Sequence, residues 1–465
     1  MFGALIQPEI RALINEGNFH DLKQIFVDWA PVDLAELIAD LPEEERVVIF
    51  RLLPSELATE TFEYLDLESQ QHLLRAMGQG EVVAVLNAMS PDDRTAFLEE
   101  LPSNVVTQLL RLLTPEERAI AQSLLNYPEE SVGRLMTPDF LAVRDEWTIG
   151  EVLDYIRVHG KDSETLNVIY VVDEKGRLVD DLRISRLLIK PLEMKIAEIR
   201  DENFVALSVN DPQREAVEAF KKYDRSTLPV LDGRGVLVGI VTIDDVIDVA
   251  EEETTRNIQK LGGTEALDEP YLSTSILEMV HKRGTWLVVL FLGQLLTATA
   301  MGYFESAIEK TVLLSLFLPL IISSGGNCGS QASTLIIRAM AVGEVRLRDW
   351  FRVMRKELAA GLMLGLMLGS LGFLRIMVWS VGSERISGTS VYGPHAFLLA
   401  LVVGMSLIGV VMWGSISGSM LPFVLRRLGL DPATSSVPFV ATLVDVTGVV
   451  IYFSVAVYIL RGTIL

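Results

Sequence analysis

The sequence predicts a multidomain protein in which an acidic, soluble part precedes a five-helix transmembrane domain. The mean hydropathy is +0.35 although 22% of the residues are charged, so the charges must be segregated. Residues 1–270 carry 53 acidic and 26 basic residues, whereas residues 271–465 carry 9 and 14. We predict an all-α N-terminal superhelix at 1–130, an α/β pair at 131–250, a long connecting helix at 251–275 and the membrane domain at 276–465.

Composition also limits the possible functions and compartments. The acidic balance argues against a nucleic-acid partner, which requires a basic surface. Cys328 is the only cysteine, so the chain can form no internal disulfide, and a reducing compartment is expected. The first 18 residues lack the basic start and apolar core of a signal peptide. We therefore expect a cytosolic N-terminus.

A 12-residue period runs through the first 130 residues. An apolar residue followed by a helix starter or breaker recurs seven times: Leu41, Leu53, Leu65, Met77, Met89, Leu101 and Leu113. Proline in the first turn and acidic residues after it favour helix starts. Helices of two or three turns are unstable alone. The pattern therefore predicts stacked short helices that present a docking or sensing surface.

Residues 131–250 contain two similar copies, at about 131–190 and 191–250. Buried-strand patterns at 168–172 and 227–231 are each followed by a turn, and a helical stretch precedes each. The second copy, with 239–245 reading GIVTIDD, resembles a CBS module, so the region resembles a tandem CBS pair. The first copy differs, with Asp180, Arg183 and Arg186 at the usual Gly, Ser or Thr, and Asp positions.

The resemblance to CBS modules implies a sensor for adenine nucleotides or ions. Thr242 and Asp245 of the second copy would contact a ribose and a phosphate, so ATP is a predicted partner there. Beyond this copy, the connecting helix carries Asp245, Asp248 and Glu252 on one face by helical spacing. An ordinary solvated acidic face is the alternative interpretation of that spacing.

Five apolar stretches follow, and each is long enough to cross a bilayer. We place the membrane helices at about 284–304, 311–341, 357–381, 395–424 and 435–460. Five crossings from a cytosolic start put the C-terminus on the opposite side. Basic residues agree with this topology, because they cluster before the first helix, between the second and third, and before the fifth.

Asp445 is the one charged residue inside the last apolar stretch. A carboxylate at mid-membrane costs about 2.5–3.5 kcal/mol on insertion scales, so it must face protein or water. Helical spacing places Val437, Ala441, Asp445 and Gly448 on one face. This face predicts a cation site in a narrow polar path. A buried aspartate that holds a neighbouring helix is the alternative.

A second polar segment interrupts the second membrane stretch at 323–333. Gly325 and Gly326 allow close backbone approach, and Asn327 and Gln331, four residues apart, present amide oxygens to one side. A broken helix with freed carbonyls would be tolerated only beside a cavity or protein. We predict that these four residues line or support a pore, with helix packing as the alternative.

These motifs resemble those of the MgtE family of magnesium channels. The matching segments are 325–331 (GGNCGSQ), 334–338 (TLIIR), 421–423 (LPF), 431–433 (DPA) and 438–448 (PFVATLVDVTG). The order of the domains matches as well, over essentially the whole chain. The resemblance implies a homodimer in the cell (inner) membrane, with Mg²⁺ as substrate and regulator and one pore on the two-fold axis.

The resemblance also implies two sets of ion-binding residues. In the pore, Asp445 and the Ala441 carbonyl would face the ion, and Thr442 and Gly448 would line its path. The regulatory Mg²⁺ ions would bind six acidic residues of the soluble part and its junction: Asp92, Asp224, Asp245, Asp248, Glu253 and Asp431. Arg256 and Asn257 carry no carboxylate that could bind Mg²⁺. We therefore expect fewer Mg²⁺ bridges between domains and a higher Mg²⁺ concentration for closing the channel.

The sequence thus predicts a Mg²⁺ channel that cytosolic Mg²⁺ closes. A transporter of Co²⁺ or Mn²⁺ is one alternative, although the membrane half has no His or Cys cluster for softer metals. A membrane-anchored CBS sensor without transport is another. Enzymatic chemistry is not expected, because no nucleophile–base pair, P-loop or zinc signature is present.

Overall fold

The computed structural model describes residues 2–267, 271, 274–387, 391–434, 436–461 and 463. It divides the chain into two compact units, Met1–Glu251 and Glu252–Leu465. The first contains short helices and two small sheets, and the second contains long helices. The predicted fold class is confirmed.

Within the part of the chain that the structure describes, ten short α-helices open the first unit. They are α1 (Phe2–Asn15), α2 (Phe19–Phe26), α3 (Pro31–Asp40), α4 (Glu43–Leu52), α5 (Ser55–Glu63), α6 (Leu67–Ala76), α7 (Gln79–Ala88), α8 (Pro91–Glu99), α9 (Ser103–Leu112) and α10 (Pro115–Leu125). The 12-residue period marks the junctions between helices. Leu41, Leu53 and Met89, for example, are extended C-cap residues whose side chains enter a shared core. Packing of these apolar residues stabilises helices too short to persist alone.

The CBS-like pair contributes two three-stranded sheets of the same topology. Its elements are α11 (Val132–Leu135), β1 (Ala142–Val143), α12 (Ile149–His159), β2 (Val168–Val172), β3 (Leu178–Arg183), α13 (Ile184–Leu188), β4 (Leu207–Ser208), α14 (Gln213–Tyr223), β5 (Thr227–Leu231) and β6 (Leu237–Thr242). In each copy the first strand pairs parallel to the second, which pairs antiparallel to the third. The two copies seen in the sequence therefore fold into sheets of the same topology, each with one antiparallel strand pair.

Helix α15 (Ile243–Leu261) follows directly from β6. It ends in a turn at Gly262 and Gly263, where Gly263 has a φ of +75° that favours glycine. Part of the segment predicted as a connecting helix, 268–270, 272 and 273, lies outside the described residues. The predicted domain limits of 251–275 therefore stay a prediction.

The described residues of the second unit form six more α-helices. They are α16 (Ile276–Tyr303), α17 (Glu305–Lys310), α18 (Leu313–Ala341), α19 (Trp350–Ser387), α20 (Ala396–Arg427) and α21 (Val437–Leu460). Within the described residues, five helices are long and apolar enough to cross a membrane, and α17 is not one of them. Several extend beyond the predicted apolar stretches; α16 begins eight residues earlier, because helical structure continues through its charged first turns.

The core of the second unit lies among α18, α20 and α21. Glycines on facing helices permit this packing: a Cβ on Gly414 would collide with the Gly325 carbonyl, and one on Gly418 with the Gly329 carbonyl. Small residues four apart let helix backbones approach closely in membranes. The Gly-rich segment is therefore continuous helix within α18, and the expected break is absent from its described residues.

Candidate functional site

Asp445 lies half-buried on α21, at the wall of a cavity of 480 Å³. Helix α21 begins at Val437, with Pro438 in its first turn, and is apolar on either side of the aspartate. Pro438, Ala441 and Thr442 of the same helix also line the cavity. The helical spacing i, i+3, i+4, i+7 therefore gathers these residues on one face.

Thr442 contributes an oxygen to this wall. Its hydroxyl donates a hydrogen bond of 2.9 Å to the Pro438 carbonyl, one turn earlier. Because the proton is engaged in that bond, the oxygen lone pairs remain acceptors. Carboxylate and hydroxyl oxygens on one wall suit a hard cation or the water bound to it.

The predicted pore face separates into two parts in the structure. Gly448 is buried and packs against α20, since an added Cβ would lie 3.3 Å from Val410 Cγ1. It does not line the cavity with Asp445 and Ala441. Gly448 therefore lies where α21 approaches α20 closely.

Helix α18 supports the back of the site through Gly326. A Cβ on Gly326 would lie 3.6 Å from both the Ala441 Cβ and an Asp445 carboxylate oxygen. Gly325 is directed elsewhere, against Val410 and Val444. The two adjacent glycines therefore pack α18 against α20 and α21 together.

The two predicted amides of α18 lie away from the cavity. Asn327 and Gln331 are both exposed, and the Asn327 amide donates a long hydrogen bond of 3.5 Å to Ser323 Oγ. Neither residue is among those that line the cavity. Their predicted role in the ion path gains no support from this arrangement.

A second contact region lies where α15 ends, near the start of α21. A Cβ on Gly263 would lie 2.8 Å from the Trp286 ring and 3.3 Å from Pro438. The Trp286 indole donates a 3.0 Å hydrogen bond to Ser436 Oγ. The end of α15 thus packs directly against the first turn of the helix that carries Asp445.

Asp431 precedes α21 and is already paired. Its Oδ2 lies 2.8 Å from Lys260 Nζ, and its Oδ1 accepts a hydrogen bond of 2.9 Å from the Ala433 amide. The predicted regulatory ligand therefore contacts an ammonium group of α15 in this arrangement. Glu253 lies earlier on the same helix and is half-buried.

An acidic cluster occupies the first unit where α8 and α15 begin. Asp92 is 7% exposed, and its Oδ1 is buried without a hydrogen-bond partner among the described residues. Burial, and next the negative charge of Asp245, raise the pKa of Asp92 well above its usual range. Burial also raises the pKa of Asp245 to about 7, against the hydrogen bond from Thr242. The two carboxylates therefore repel each other when both are ionised.

Four more carboxylates of the acidic cluster have a raised pKa. Those whose pKa is raised, with burial as the largest cause, are Glu63 (to about 7), Asp93, Asp139 and Glu164. Asp244 adds its charge to Asp93, Asp245 and Glu164. Sequence reasoning missed these neighbours, although the adjacent acids of 92–93 and 244–245 were a visible signal. Within the described part of the chain, no three acidic, His or Cys side chains converge into a ready-made metal site.

Two predicted regulatory residues are exposed in the first unit. Asp224 caps α14 in a left-handed conformation, with φ of +51°, and Asp248 lies on the outer side of α15. Neither is among the causes that raise the pKa of Asp92 or Asp245. The structure thus brings together Asp92 and Asp245, and Asp248 lies one helical turn after Asp245 on α15.

The predicted nucleotide contacts, Thr242 and Asp245, lie among acidic side chains. The Thr242 hydroxyl donates a 2.5 Å hydrogen bond to Asp245 Oδ2 and is therefore engaged. The surrounding acids would repel a phosphate. Between the two CBS-like copies, Arg225 lies 3.2 Å from the buried Asp181 carboxylate. Asp180, unusual at its position, accepts hydrogen bonds from the amides of Asp181 and Asp201 and so has a local structural role.

Three family models match the chain. They are the MgtE divalent cation transporter over residues 318–455, the MgtE intracellular N domain over 29–130, and the CBS domain over 132–189 and 196–252. The first contains Asp445, and the others contain the acidic cluster. Together they cover most of the chain in the predicted order.

Curated relatives and a solved structure that carry the MgtE name are also similar to this chain. The magnesium transporter MgtE of Thermus thermophilus is 38% identical, with 97% of this chain and 98% of the relative aligned. That of Bacillus subtilis is 27% identical, over 96% and 95%. The crystal structure of the cytosolic domain of the Mg²⁺ channel MgtE in complex with ATP matches with a TM-score of 0.50 and 36% identity, over 52% of this chain and 99% of that one. With five apolar helices, the chain is a multi-pass membrane protein, and it belongs to the MgtE family of divalent cation transporters.

Proposed function

We propose that this chain forms a Mg²⁺ channel in the cell (inner) membrane, and that Mg²⁺ bound to its acidic cytosolic part closes the channel. The observation that carries the proposal is the Asp445 carboxylate. It lines the cavity, and it is the only charged group of α21. The relatives named magnesium transporters support the choice of ion.

The chemistry of the cavity favours a hydrated Mg²⁺ ion. Mg²⁺ loses its water reluctantly and is usually held by one or two carboxylates. Six waters fill roughly 180 Å³ at about 30 Å³ each, and the cavity measures 480 Å³. Asp445 supplies charge, while the Thr442 oxygen and the Ala441 backbone accept hydrogen bonds from bound water.

The protein acts as a homodimer in this proposal. One carboxylate per chain is few for a divalent ion, and a two-fold axis beside α21 would bring two copies of Asp445 to one path. Five crossings from a cytosolic N-terminus place the C-terminus on the opposite side of the membrane.

Closure depends on the acidic cluster of the first unit. Asp92 and Asp245 repel each other when ionised, and one oxygen of Asp92 has no hydrogen-bond partner in the described residues. A Mg²⁺ ion between these carboxylates would replace repulsion with attraction and hold α8 against the start of α15. Such binding selects one of two conformations, and it gives negative feedback on Mg²⁺ uptake.

The oxygen ligands of the cavity favour Mg²⁺ over Co²⁺ as the substrate. Mn²⁺ accepts oxygen ligands as well, so the choice of Mg²⁺ over Mn²⁺ is supported by the relatives named magnesium transporters. Ions softer than Mg²⁺ and Mn²⁺ prefer nitrogen and sulfur ligands, and the described residues that line the cavity include neither His nor Cys. A sensor without transport would leave the cavity and its carboxylate without a purpose.

Ion flux into proteoliposomes tests these alternatives directly. We expect purified protein to admit Mg²⁺ at low internal Mg²⁺ and to admit Co²⁺ and Mn²⁺ more slowly. Empty liposomes are the control. Absence of Mg²⁺ flux at every internal concentration would support the sensor, and faster Co²⁺ or Mn²⁺ flux would support a different substrate.

A further inference from the structure

The cavity beside Asp445 has a second wall, formed by α16. Leu287, Leu290, Phe291 and Gln294 line it from that side. Their spacing of three, four and seven residues places them on one face of the helix. Gln294 is therefore the polar end of an otherwise apolar wall, and it faces the cavity that also contains the Asp445 carboxylate.

A glutamine amide at this depth requires a polar environment. In hydrocarbon an unsatisfied polar group is strongly disfavoured, and polar residues within spans usually face a cavity or a protein partner. Gln294 is exposed, and no hydrogen bond links its amide to another of the residues that the structure describes. Its contribution to the cavity wall gives the amide access to water and to whatever the cavity holds.

Close packing fixes α16 beside α21 at this level. A Cβ on Gly293 would lie 2.9 Å from Thr442 Cγ2, so glycine is needed where the two helices approach. Gln294 follows immediately in sequence and is held near Thr442 and Asp445. One turn further, the Thr297 hydroxyl oxygen is buried without a hydrogen-bond partner in the described residues, so polar atoms continue along α16.

We propose that Gln294 is a specificity-determining residue that binds the water shell of the cation at Asp445. This inference rests on the proposed function. Asp445 supplies the attraction, and the Gln294 carbonyl accepts hydrogen bonds from water molecules on the ion. A neutral amide orients this shell without adding charge, so the ion is recognised while hydrated and is still released.

An exchange-inert probe separates recognition of the shell from direct ligation. Hexaamminecobalt(III) keeps its six ammine ligands, so it binds only through its outer N–H groups and resembles a hydrated ion. We expect it to block wild-type Mg²⁺ flux. Gln294→Leu should raise the half-blocking concentration and the half-saturating Mg²⁺ concentration by about tenfold each, the scale of one hydrogen bond to a charged group.

Two further variants exclude a merely structural effect. Gln294→Glu keeps an acceptor oxygen at the same position and adds a second one with a negative charge, so block should be at least as strong as in wild type. Leu292→Ala changes an exposed residue of the same helix outside the cavity lining, and it should leave both concentrations unchanged. If Gln294→Leu does not fold, Gln294→Asn, which withdraws the amide by one methylene, should show the same weakening.

The outcomes distinguish this inference from the function on which it rests. In one outcome Asp445→Asn abolishes flux, while folded Gln294→Leu or Gln294→Asn keeps the wild-type half-blocking and half-saturating concentrations. Gln294 then does not bind the water shell of the ion. If Asp445→Asn still conducts as wild type does, the proposed ion site itself is wrong.

Discussion

Lys260 and Asp431 form an ion pair in the second unit, with 2.8 Å between Nζ and Oδ2. The pair joins the last turn of α15 to the segment just before α21. Asp431 is one of the acids that the family resemblance assigns to regulatory Mg²⁺. An ammonium group therefore contacts the Asp431 carboxylate, and a regulatory Mg²⁺ ion bound there would compete with it for the same oxygen.

Lys260→Met should lower the Mg²⁺ concentration that closes the channel by about two- to fivefold. Both side chains are roughly 40% exposed, and exposed ion pairs contribute only about 0.2–1 kcal/mol. The measurement is channel current against internal Mg²⁺, with Lys190→Met, an exposed lysine of the first unit, as the charge control. An unchanged closing concentration in Lys260→Met would show that Asp431 does not take part.

Gly325→Ala should destabilise the second unit by about 1–3 kcal/mol, the usual cost of overpacking. The added Cβ would overlap a Val410 methyl group and lie 2.9 Å from Val444 Cγ1. Gly326→Ala meets its neighbours only at 3.6 Å and should fold normally. Unfolding in detergent micelles provides the comparison.

Gly302→Ala is the matched control for these glycine variants. It lies in α16, and no atom of the described residues lies within 4 Å of an added Cβ. Because alanine lowers the conformational entropy of the unfolded chain, the substitution should raise the free energy of unfolding by about 0.5–1 kcal/mol. Equal stability of Gly325→Ala and Gly302→Ala would mean that α18 does not pack against α20 as described.

The acidic cluster predicts an unusual pH dependence without Mg²⁺. Burial raises the pKa of Asp245 from 3.8 to about 7 in the folded chain. A carboxyl with a raised pKa contributes stability that is fully present below its unfolded pKa and is lost as pH rises through the folded value. The first unit should therefore unfold at a lower temperature at pH 8 than at pH 5.5 in EDTA.

Mg²⁺ should reverse this loss at pH 8, and Asp245→Asn should flatten the pH dependence. Calorimetric or exchange-based unfolding of the full chain measures both effects. Mg²⁺ must also displace protons from the cluster, so apparent Mg²⁺ affinity should fall between pH 8 and pH 6. A first unit whose stability rises over this pH range in EDTA would contradict the repulsion between Asp92 and Asp245.

Protease protection reports the same binding in the chain at fixed pH. Millimolar Mg²⁺ should protect the start of α15 from cleavage and close the channel over one concentration range, with about 1–3 kcal/mol of coupling for each bridge. Replacing Asp245 and Asp248 together by Asn should leave the channel open at high Mg²⁺. Protection and current that do not change with Mg²⁺ would remove the first unit as sensor.

The sequence predicted the site best where one residue differed in polarity from its neighbours. Asp445 stands out because an apolar stretch surrounds it, and the structure places it at the cavity wall with Ala441 and Thr442. The 12-residue period likewise predicted short stacked helices, because each repeat must bury its own apolar positions.

Other features depend on which helices meet, and local pattern does not contain that information. Gly-rich 323–333 predicted a break, yet the glycines pack a continuous helix against α20. Gln294 gave no signal, because its role arises only when α16 lies beside α21. The influence of Asp244 on Asp93, and of Glu164 on Asp245, follows from tertiary packing in the same way.

Mg²⁺ flux into proteoliposomes that contain the Asp445→Asn variant tests whether Asp445 forms the ion site. The substitution keeps the side chain's size but removes the charge that attracts the ion. Gel-filtration elution and thermal unfolding should match those of wild type, which separates loss of function from loss of fold. We expect Mg²⁺ flux at the level of empty liposomes, and flux at the wild-type rate would contradict an ion site at Asp445.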